Sequence, residues 1–447
     1  MPTVDGIVSG IDTTALIKGI VGVQQATVTA MKAQQSDFES QRESVAGVNN
    51  RLTTLRDAIR KYDTPLEIAS FMVTGAPSRV TVTAGVGTRS GSYAIRVDKL
   101  ATAQTSITQG VADRAAKTLA TGDLAVTVGG VPTTVTLDAD NASLDGLAAA
   151  LDATAGLSAF VLDTGAAGAA RYQLVVQGAG TGAASTVTFD TSGLAGGTVP
   201  AFTEEVAAED AIVEIAGISV RSATNTLTGV IPGLTLVLGS PGAVETVTIA
   251  PDTAGTRAKL QEVVDAWNAA LTYYDGQSAY NATEGIKGPL VGEATTRRAM
   301  EDLGGMISSP YTVAGTSLTA LSMLGVKTGQ DGKLTLDAAV FDAAYVADPT
   351  GVELLLTADE GPLGALADRL DAIYVDAENG ALVARTEGLQ STIEDLDLQI
   401  EKAQERVEAQ AKLLRTQFNA MEVALGRLKS TQAFLTSFFA SNSSSDS

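Results

Sequence analysis

Both ends of this 447-residue chain carry long, proline-free heptad repeats, and that pattern restricts the fold more than any other feature. From Thr13 to Tyr62 one seam reads Ile17, Gln24, Met31, Phe38, Val45, Leu52, Ile59. A companion three residues on reads Ile20, Thr27, Gln34, Gln41, Val48, Leu55, Tyr62. A seven-residue repeat split 3-4 puts both seams on one side of a helix, the coiled-coil pattern. Asp12 or Thr13 suits the N-cap, and Thr64-Pro65 closes the pattern. Glutamines and Thr27 interrupt the first half, so that half is expected to be weak alone and to order only against partners.

The C-terminal end mirrors this, with no proline after Pro362. From Leu389 the spacing is 4-3-4-3 through Ile393, Leu396, Ile400, Ala403 and Val407. A strict heptad would then bury Gln410 and Gln417. A shift by one residue gives Ala411, Leu414, Phe418, Met421, Leu425, Leu428, Gln432 and Leu435 instead, which is a stutter near Val407–Ala411 that locally unwinds a left-handed supercoil. As one helix, Leu389–Ala440 would span about 78 Å, too long to be buried in one compact domain. The aromatic end, Phe434, Leu435, Phe438 and Phe439, would add about 1.5–3 kcal/mol per buried side chain, and left exposed it is a docking patch. The seams are read as surfaces for assembly between chains rather than as one monomer's core. Ser441–Ser447 is read as disordered.

Between the arms, from about Ala76 to Asp252, Val, Thr, Gly and Ala alternate with period two. Val80 and Val82, then Tyr93, Ile95 and Val97, flank GVGTRSG and are expected to form a hairpin. Leu124–Val128, Gly129-Gly130 and Val131–Leu137 form another. A short helix is expected at Leu144–Leu151, with strands at Ala159–Leu162, Tyr172–Val176, Val187–Phe189, Ala211–Val220, Leu234–Leu238 and Glu245–Ile249. Residues 110–255 hold 4 Lys/Arg against 15 Asp/Glu, which reads as an exposed acidic module. After Ala254 helical spacing returns, and Leu260, Val263, Val264, Trp267 and Leu271 form a buried face. The expected class is α+β and multidomain, with long terminal α-helices forming coiled-coil or bundle legs and antiparallel β-rich head modules inserted between them. The expected boundaries are 1–40 with 400–447 for the leg, and 41–78 with 253–399 for a helical bundle. The first head domain is 79–110 with 204–252, and the second, inserted in it, is 111–203.

Composition narrows the function. The chain has no His and no Cys, which removes Ser-His and Cys-His nucleophiles, Cys/His zinc sites and disulfides. A net charge of −21 argues against nucleic acid and against docking on an anionic membrane. The first twenty residues lack a basic n-region and a continuous apolar core, so export by a cleaved Sec-type signal is not expected. GAGTGA at Gly178–Ala183 lacks dinucleotide-loop spacing and is read as a flexible turn. Asp331-Gly332-Lys333 with Asp337 is read as a β-turn, because Lys occupies a would-be calcium-ligand position. Glu204, Glu205, Glu209 and Asp210 are read as a solvated linker, and Glu394, Asp395 and Asp397 as surface beside the seam. No catalytic residue, cofactor or metal is expected.

Several segments resemble the bacterial flagellar filament cap proteins, also called hook-associated protein 2. Gly6–Asp12 matches the family's opening Gly-Leu-Gly-Ser-Gly-Leu-Asp, with Val8 in place of a Gly. GSYAIRVDKLATAQ (Gly91–Gln104) is similar to its first strand pair, and Ala211–Leu238 to its strand–Asn-x-(Leu/Ile)-x-x-(Val/Ile)-x-Pro-Gly–strand signature. VVDAWNAAL (Val263–Leu271), Gly288–Met300, Leu324–Asp337 and Gln417–Phe439 match further segments, and Gly122–Gly178 resembles a β-β-α-β-β insert of flagellin-type proteins.

The resemblance implies a structural assembly protein, not an enzyme. It would be exported unfolded by the flagellar type III system without a cleaved signal, and would act outside the cell as a ring at the flagellum tip. It implies as partners other copies of the chain, flagellin and the filament tip, and hook-filament junction proteins. An export chaperone would bind the C-terminal helix, Gln417–Phe439, and Phe434, Phe438 and Phe439 are expected to switch from chaperone to filament contacts. The alternative from another class is a surface adhesin or fibre subunit with a glycan-binding β head.

Overall fold

The computed structural model describes residues 10, 12–75, 77–168, 171–283 and 285–443, the side chains of 438–443 excepted. The chain divides into two compact units, Met1–Asp63 with Lys259–Ser447, and Thr64–Ala258.

In the helical unit, α1 (Thr13–Arg60) starts where the Asp12 carboxylate accepts a 2.8 Å bond from the Ala15 amide. Its second half buries Val45, Val48, Leu52, Leu55 and Ile59, as the heptad reading requires. Against it packs α4 (Thr253–Ser278), which enters this unit at Lys259. Gly47 allows the approach, since a Cβ there would collide with the Tyr273 ring, and Arg51 stacks 3.7 Å above that ring. The expected α4 face, Leu260, Val263, Val264, Trp267 and Leu271, is buried.

The Trp-Asn pair of α4 holds a hairpin of β18 (Val326–Thr328) and β19 (Leu334–Leu336). Trp267 Nε1 donates to Gly332 O at 3.0 Å, and Asn268 makes two 2.8 Å bonds with the Leu334 backbone. Asp331-Gly332-Lys333 is the turn of this hairpin, and Asp337 caps the next helix and pairs with Lys327 at 2.9 Å. The unit is completed by α5 (Ala294–Ile307), α6 (Ala338–Ala347), α7 (Pro349–Thr357), α8 (Pro362–Arg369) and α9 (Ala381–Ser443). A small hairpin, β16 (Tyr280–Asn281) with β17 (Ile286–Lys287), precedes α5.

The second unit holds two β modules with separate cores. After the single turn α2 (Pro65–Ile68), the first module begins with β1 (Phe71–Thr74) and β2 (Val80–Ala84), followed by β3 (Gly91–Lys99). It closes with β11 (Ala211–Ile215), β12 (Ile218–Ser222), β13 (Thr226–Thr228), β14 (Leu234–Leu238) and β15 (Glu245–Pro251). The sheets are β1-β15-β3-β11-β12 and β13-β14-β2, sharing a core that includes Val97, Val213, Leu236 and Val247.

The expected β2–β3 hairpin is therefore corrected. β2 pairs with β14 and β3 with β15 and β11, so GVGTRSG connects two sheets instead of turning within one. The Pro-Gly signature explains the corner. Gly233 (φ 74°) offers its carbonyl to Gly85 N at 2.8 Å, and Asn225 exchanges bonds of 2.7 and 2.9 Å with the Ala101 backbone.

The second module contains β4 (Ala103–Thr108), β5 (Thr121–Val128), β6 (Val131–Leu137), α3 (Leu144–Asp152), β7 (Leu157–Asp163), β8 (Tyr172–Thr181), β9 (Val187–Ala195) and β10 (Phe202–Val206). Its sheets are β10-β4-β8-β7 and β6-β5-β9. β5 and β6 form the expected hairpin, with positive φ at Gly129 and Gly130. α3 is capped by Ser143 and buries Leu147 and Leu151. Two readings change here. β3 and β4 enter different sheets, so Gly91–Gln104 is not a strand pair. Gly178–Thr181 continues β8, so GAGTGA turns only from Gly182. The strands of this module run from β4 at Ala103 to β10 at Val206, and β1 of the first module lies at Phe71–Thr74.

Within the helical unit, α5 and α9 are joined by one buried carboxylate. Glu293, its side chain 2% exposed, accepts from Thr296 N at 2.7 Å and Thr296 Oγ1 at 2.8 Å, and takes a 3.2 Å bond from Arg385 of α9. Burial pushes its carboxyl up, but the bonds from Thr296 and Thr295 outweigh this and hold it below the usual glutamate range. Its stabilisation is present above the unfolded-state value of about 4.3 and is lost as pH falls toward the depressed folded value. Glu293→Gln is expected to cost about 1–2 kcal/mol at neutral pH. In thermal melts the gap between wild type and variant should narrow from about pH 5 to pH 3.

Candidate assembly surface

α1 and α9 run antiparallel. Gln24 Nε2 donates to Gln410 Oε1 at 2.8 Å, Gln35 Nε2 to Asp397 Oδ1 at 2.6 Å, and Arg42 to Gln390, so the partner number falls as the α1 number rises. Between these polar ties Val28, fully buried, packs on Ile400, Ala403 and Val407, with Val21 and Met31 alongside. At the other end of α1, Arg56 and Arg60 reach Asp371 at 3.1 Å each, and Arg60 reaches Asp368 at 2.6 Å. Such partly exposed pairs add about 0–1 kcal/mol each.

The residues read as seam fall into three groups. Ile17, Val45, Leu52, Leu396, Ile400 and Val407 are buried within the chain itself, which corrects the reading of these positions as a surface between chains: they are core of one subunit. Met31, Phe38, Leu414, Phe418, Met421 and Leu425 are half-buried. Ile20 is 44% exposed and Leu428 66% exposed. Of the shifted register after Val407, Ala411, Leu414, Phe418, Met421 and Leu425 are half-buried, whereas Leu428, Gln432 and Leu435 are exposed; of the strict-heptad alternatives Gln417 is exposed and Gln410 is half-buried against Gln24.

The companion seam of α1 needs correction. In the first half the inward residues are Val21, Val28 and Gln35, not Ile20, Thr27 and Gln34, which are exposed. The repeat there is split 4-3 and changes to 3-4 by Val45–Val48. Ile17, Val21 and Val28 at spacings of 4 and 7 carried the signal, but Ile20 and the glutamines satisfied the other split equally well.

α9 outruns its partner. Thr14 of α1 lies beside Arg415, and α9 continues to Ser443, roughly 40 Å further at ~1.5 Å per residue. On that stretch Phe434 is 65% exposed and Leu435 46% exposed. The side chains of Phe438 and Phe439, and the opening motif at 6–9 and 11, lie outside the described residues.

The acidic positions weighed as chemistry are engaged in structure. Glu209 pairs with Lys99, Asp210 accepts from Ala183 N at 2.8 Å, and Glu204 and Glu205 lie in strand β10 and not in a linker. Asp397 ties the seam to Gln35, and Glu394 accepts from Gln390 at 2.8 Å. Among the described residues no helix is long and apolar enough to cross a membrane.

Residues 9–104 match the profile of the flagellar hook-associated protein 2 N-terminus, and residues 208–430 that of its C-terminus. The chain belongs to the flagellar hook-associated protein 2 family. The unmatched stretch between the two profiles corresponds to the inserted β module, Ala103–Val206. The Flagellar hook-associated protein 2 of Escherichia coli O157:H7 is 28% identical over 468 residues, covering 98% of each chain. The B-type flagellar hook-associated protein 2 of Pseudomonas aeruginosa is 26% identical, covering 97% of each. The solved D1-D2-D3 domains of the flagellar cap protein FliD from Escherichia coli superpose with a TM-score of 0.62 at 27% identity, covering 78% of this chain and 99% of that one. The helix-and-inserted-sheet architecture is thus that of a flagellar cap protein.

The burial pattern predicts unequal consequences along α1. Leu52→Ala, at a fully buried bundle position, is expected to cost about 2–5 kcal/mol in denaturant melts. Val28→Ala, in a cluster of few residues, should leave the main transition nearly unmoved and speed amide exchange across residues 17–31 and 400–414.

Proposed function

We propose that this protein caps the distal end of the flagellar filament as a homo-oligomeric ring and promotes folding and insertion of exported flagellin. The observation that carries the reading is the length of α9 beyond α1, with apolar side chains at Leu428 and Leu435 exposed along it. A helix of this length and polarity is suited to packing between neighbours in an assembly. Residues 37–62 and their partners would hold each subunit, while the sparsely packed half of the leg would adjust as subunits are added. Family membership supports the same reading.

The further partners follow from it. The C-terminal helix, Gln417–Phe439, would be held by an export chaperone before secretion and would meet the filament afterwards. Hook-filament junction proteins would receive the first ring before flagellin arrives. The site of action is outside the cell, reached through the flagellar type III channel without cleavage. Function on this account resides in surfaces, and no step requires a catalytic group. The exposed apolar run on α9 favours assembly over the adhesin reading, which would place the binding surface on the β modules.

Deleting the gene should release flagellin monomers into the medium and abolish swimming, and the wild-type gene should restore both. Leu428→Asp combined with Leu435→Asp, at exposed positions, should be secreted and folded yet restore less than about a tenth of filament growth, because two buried charges cost several kcal/mol each. Immunoblots of culture supernatant and filament lengths by electron microscopy read the outcome.

A further inference from the structure

The chain's charge is unevenly distributed. Residues 13–36 contain Lys18 and Lys32 and no acid, and residues 409–437 contain Lys412, Arg415, Arg427 and Lys429 against Glu422 alone. These two stretches carry a net charge of +5 in a chain whose total is −21. They are the start of α1 and the far part of α9, from the turns beside Thr14–Gln24 onward; the stretch of α9 nearer its start that also pairs with α1, residues 396–408, holds Asp397, Glu401, Glu405 and Glu408 against Lys402 and Arg406. Where they meet lies an open groove of about 490 Å³, floored by Ile17, Val21 and Ala411 and rimmed by Lys18 and Arg415. Gly22 lies in its wall, so backbone can approach closely there.

We propose that this groove docks an acidic amphipathic helix at the filament end, and that the attachment of the cap is therefore electrostatically steered and salt-dependent; the inference rests on the capping function proposed above. An apolar floor between two cations is complementary to an apolar ridge flanked by Asp or Glu, the helix-in-groove mode. Charge across such a rim sets the encounter rate and orientation more than the final affinity. The acidic β modules, with 4 Lys/Arg against 15 Asp/Glu across residues 110–255, would repel the same partner. Nucleic acid shares the negative charge but offers no apolar ridge to fill the floor. An anionic bilayer is a broad surface that a concave groove between two helices does not fit.

The test uses the full-length protein and filaments reassembled from the same bacterium's flagellin, sedimented together at about 50 and 500 mM NaCl, where the screening length falls severalfold. Wild type should bind at low salt and lose about tenfold or more in affinity at high salt. The double variant Lys18→Glu with Arg415→Glu should lose at least about tenfold at low salt and show a flatter salt response. Lys18→Gln with Arg415→Gln should fall between them, and Lys117→Glu, on the second β module, should match wild type. Circular dichroism and light scattering verify that each variant keeps its helix content and oligomeric state. Salt-insensitive binding, or charge-reversed protein binding like wild type, would overturn the proposal while leaving the capping reading standing. Binding to phosphatidylglycerol vesicles in preference to filaments would assign the groove to a lipid surface and likewise overturn it. Wild type that binds filaments at neither salt would remove the capping reading itself.

Discussion

The antiparallel packing of α1 on α9 is the contact on which the rest of the structure depends. It joins residues separated by more than three hundred positions, and the entropy of closing so long a loop rises only slowly with its length, so large β modules can be inserted at little cost. The same device recurs within the head, where the module from Ala103 to Val206 leaves and rejoins the first module between adjacent strands β3 and β11. Each insertion returns the chain close to its point of departure, so each core can form from its own residues.

The strength of the α1–α9 contact is graded. From Val45 to Ile59 the seam is buried within a multi-helix core, backed by α4 and by the arginine–aspartate cluster at Arg56, Arg60, Asp368 and Asp371. Toward Thr13 it thins to Val28 and three residues of α9, with side-chain amides bridging the flanks. Amide pairs fix register while adding little net stability. The result is a contact that is densely packed toward Ile59 and sparsely packed toward Thr13, so local opening costs less at the Thr13 side.

The terminal helices were legible because their signal is local and repeated: a seven-residue period without proline, closed by Asp12 and Thr64-Pro65. The β5–β6 hairpin was legible for a similar reason, since Gly129-Gly130 encodes the turn. Strand partners were not. β2 and β3 are neighbours in sequence and belong to different sheets, and the pairings β2–β14 and β3–β15 join residues more than 140 positions apart, for which alternation carries no address. β1, β4 and β10 were missed because they are short or polar. In the assembly surface the a-type seam was readable, but the companion positions Val21, Val28 and Gln35 lie where apolar residues are too sparse to distinguish a 3-4 from a 4-3 split. Family likeness supplied what spacing could not, namely the reason for such arms.

The proposed function rests on the helices at the two ends of the chain, with the acidic β modules inserted between them in the sequence. The most direct measurement is to add the purified, gold-labelled protein to flagellin filaments from the same bacterium and to image them by electron microscopy. The account predicts label as a compact ring at one end of each filament. Label scattered along the filament sides, or absent from the ends, would contradict it.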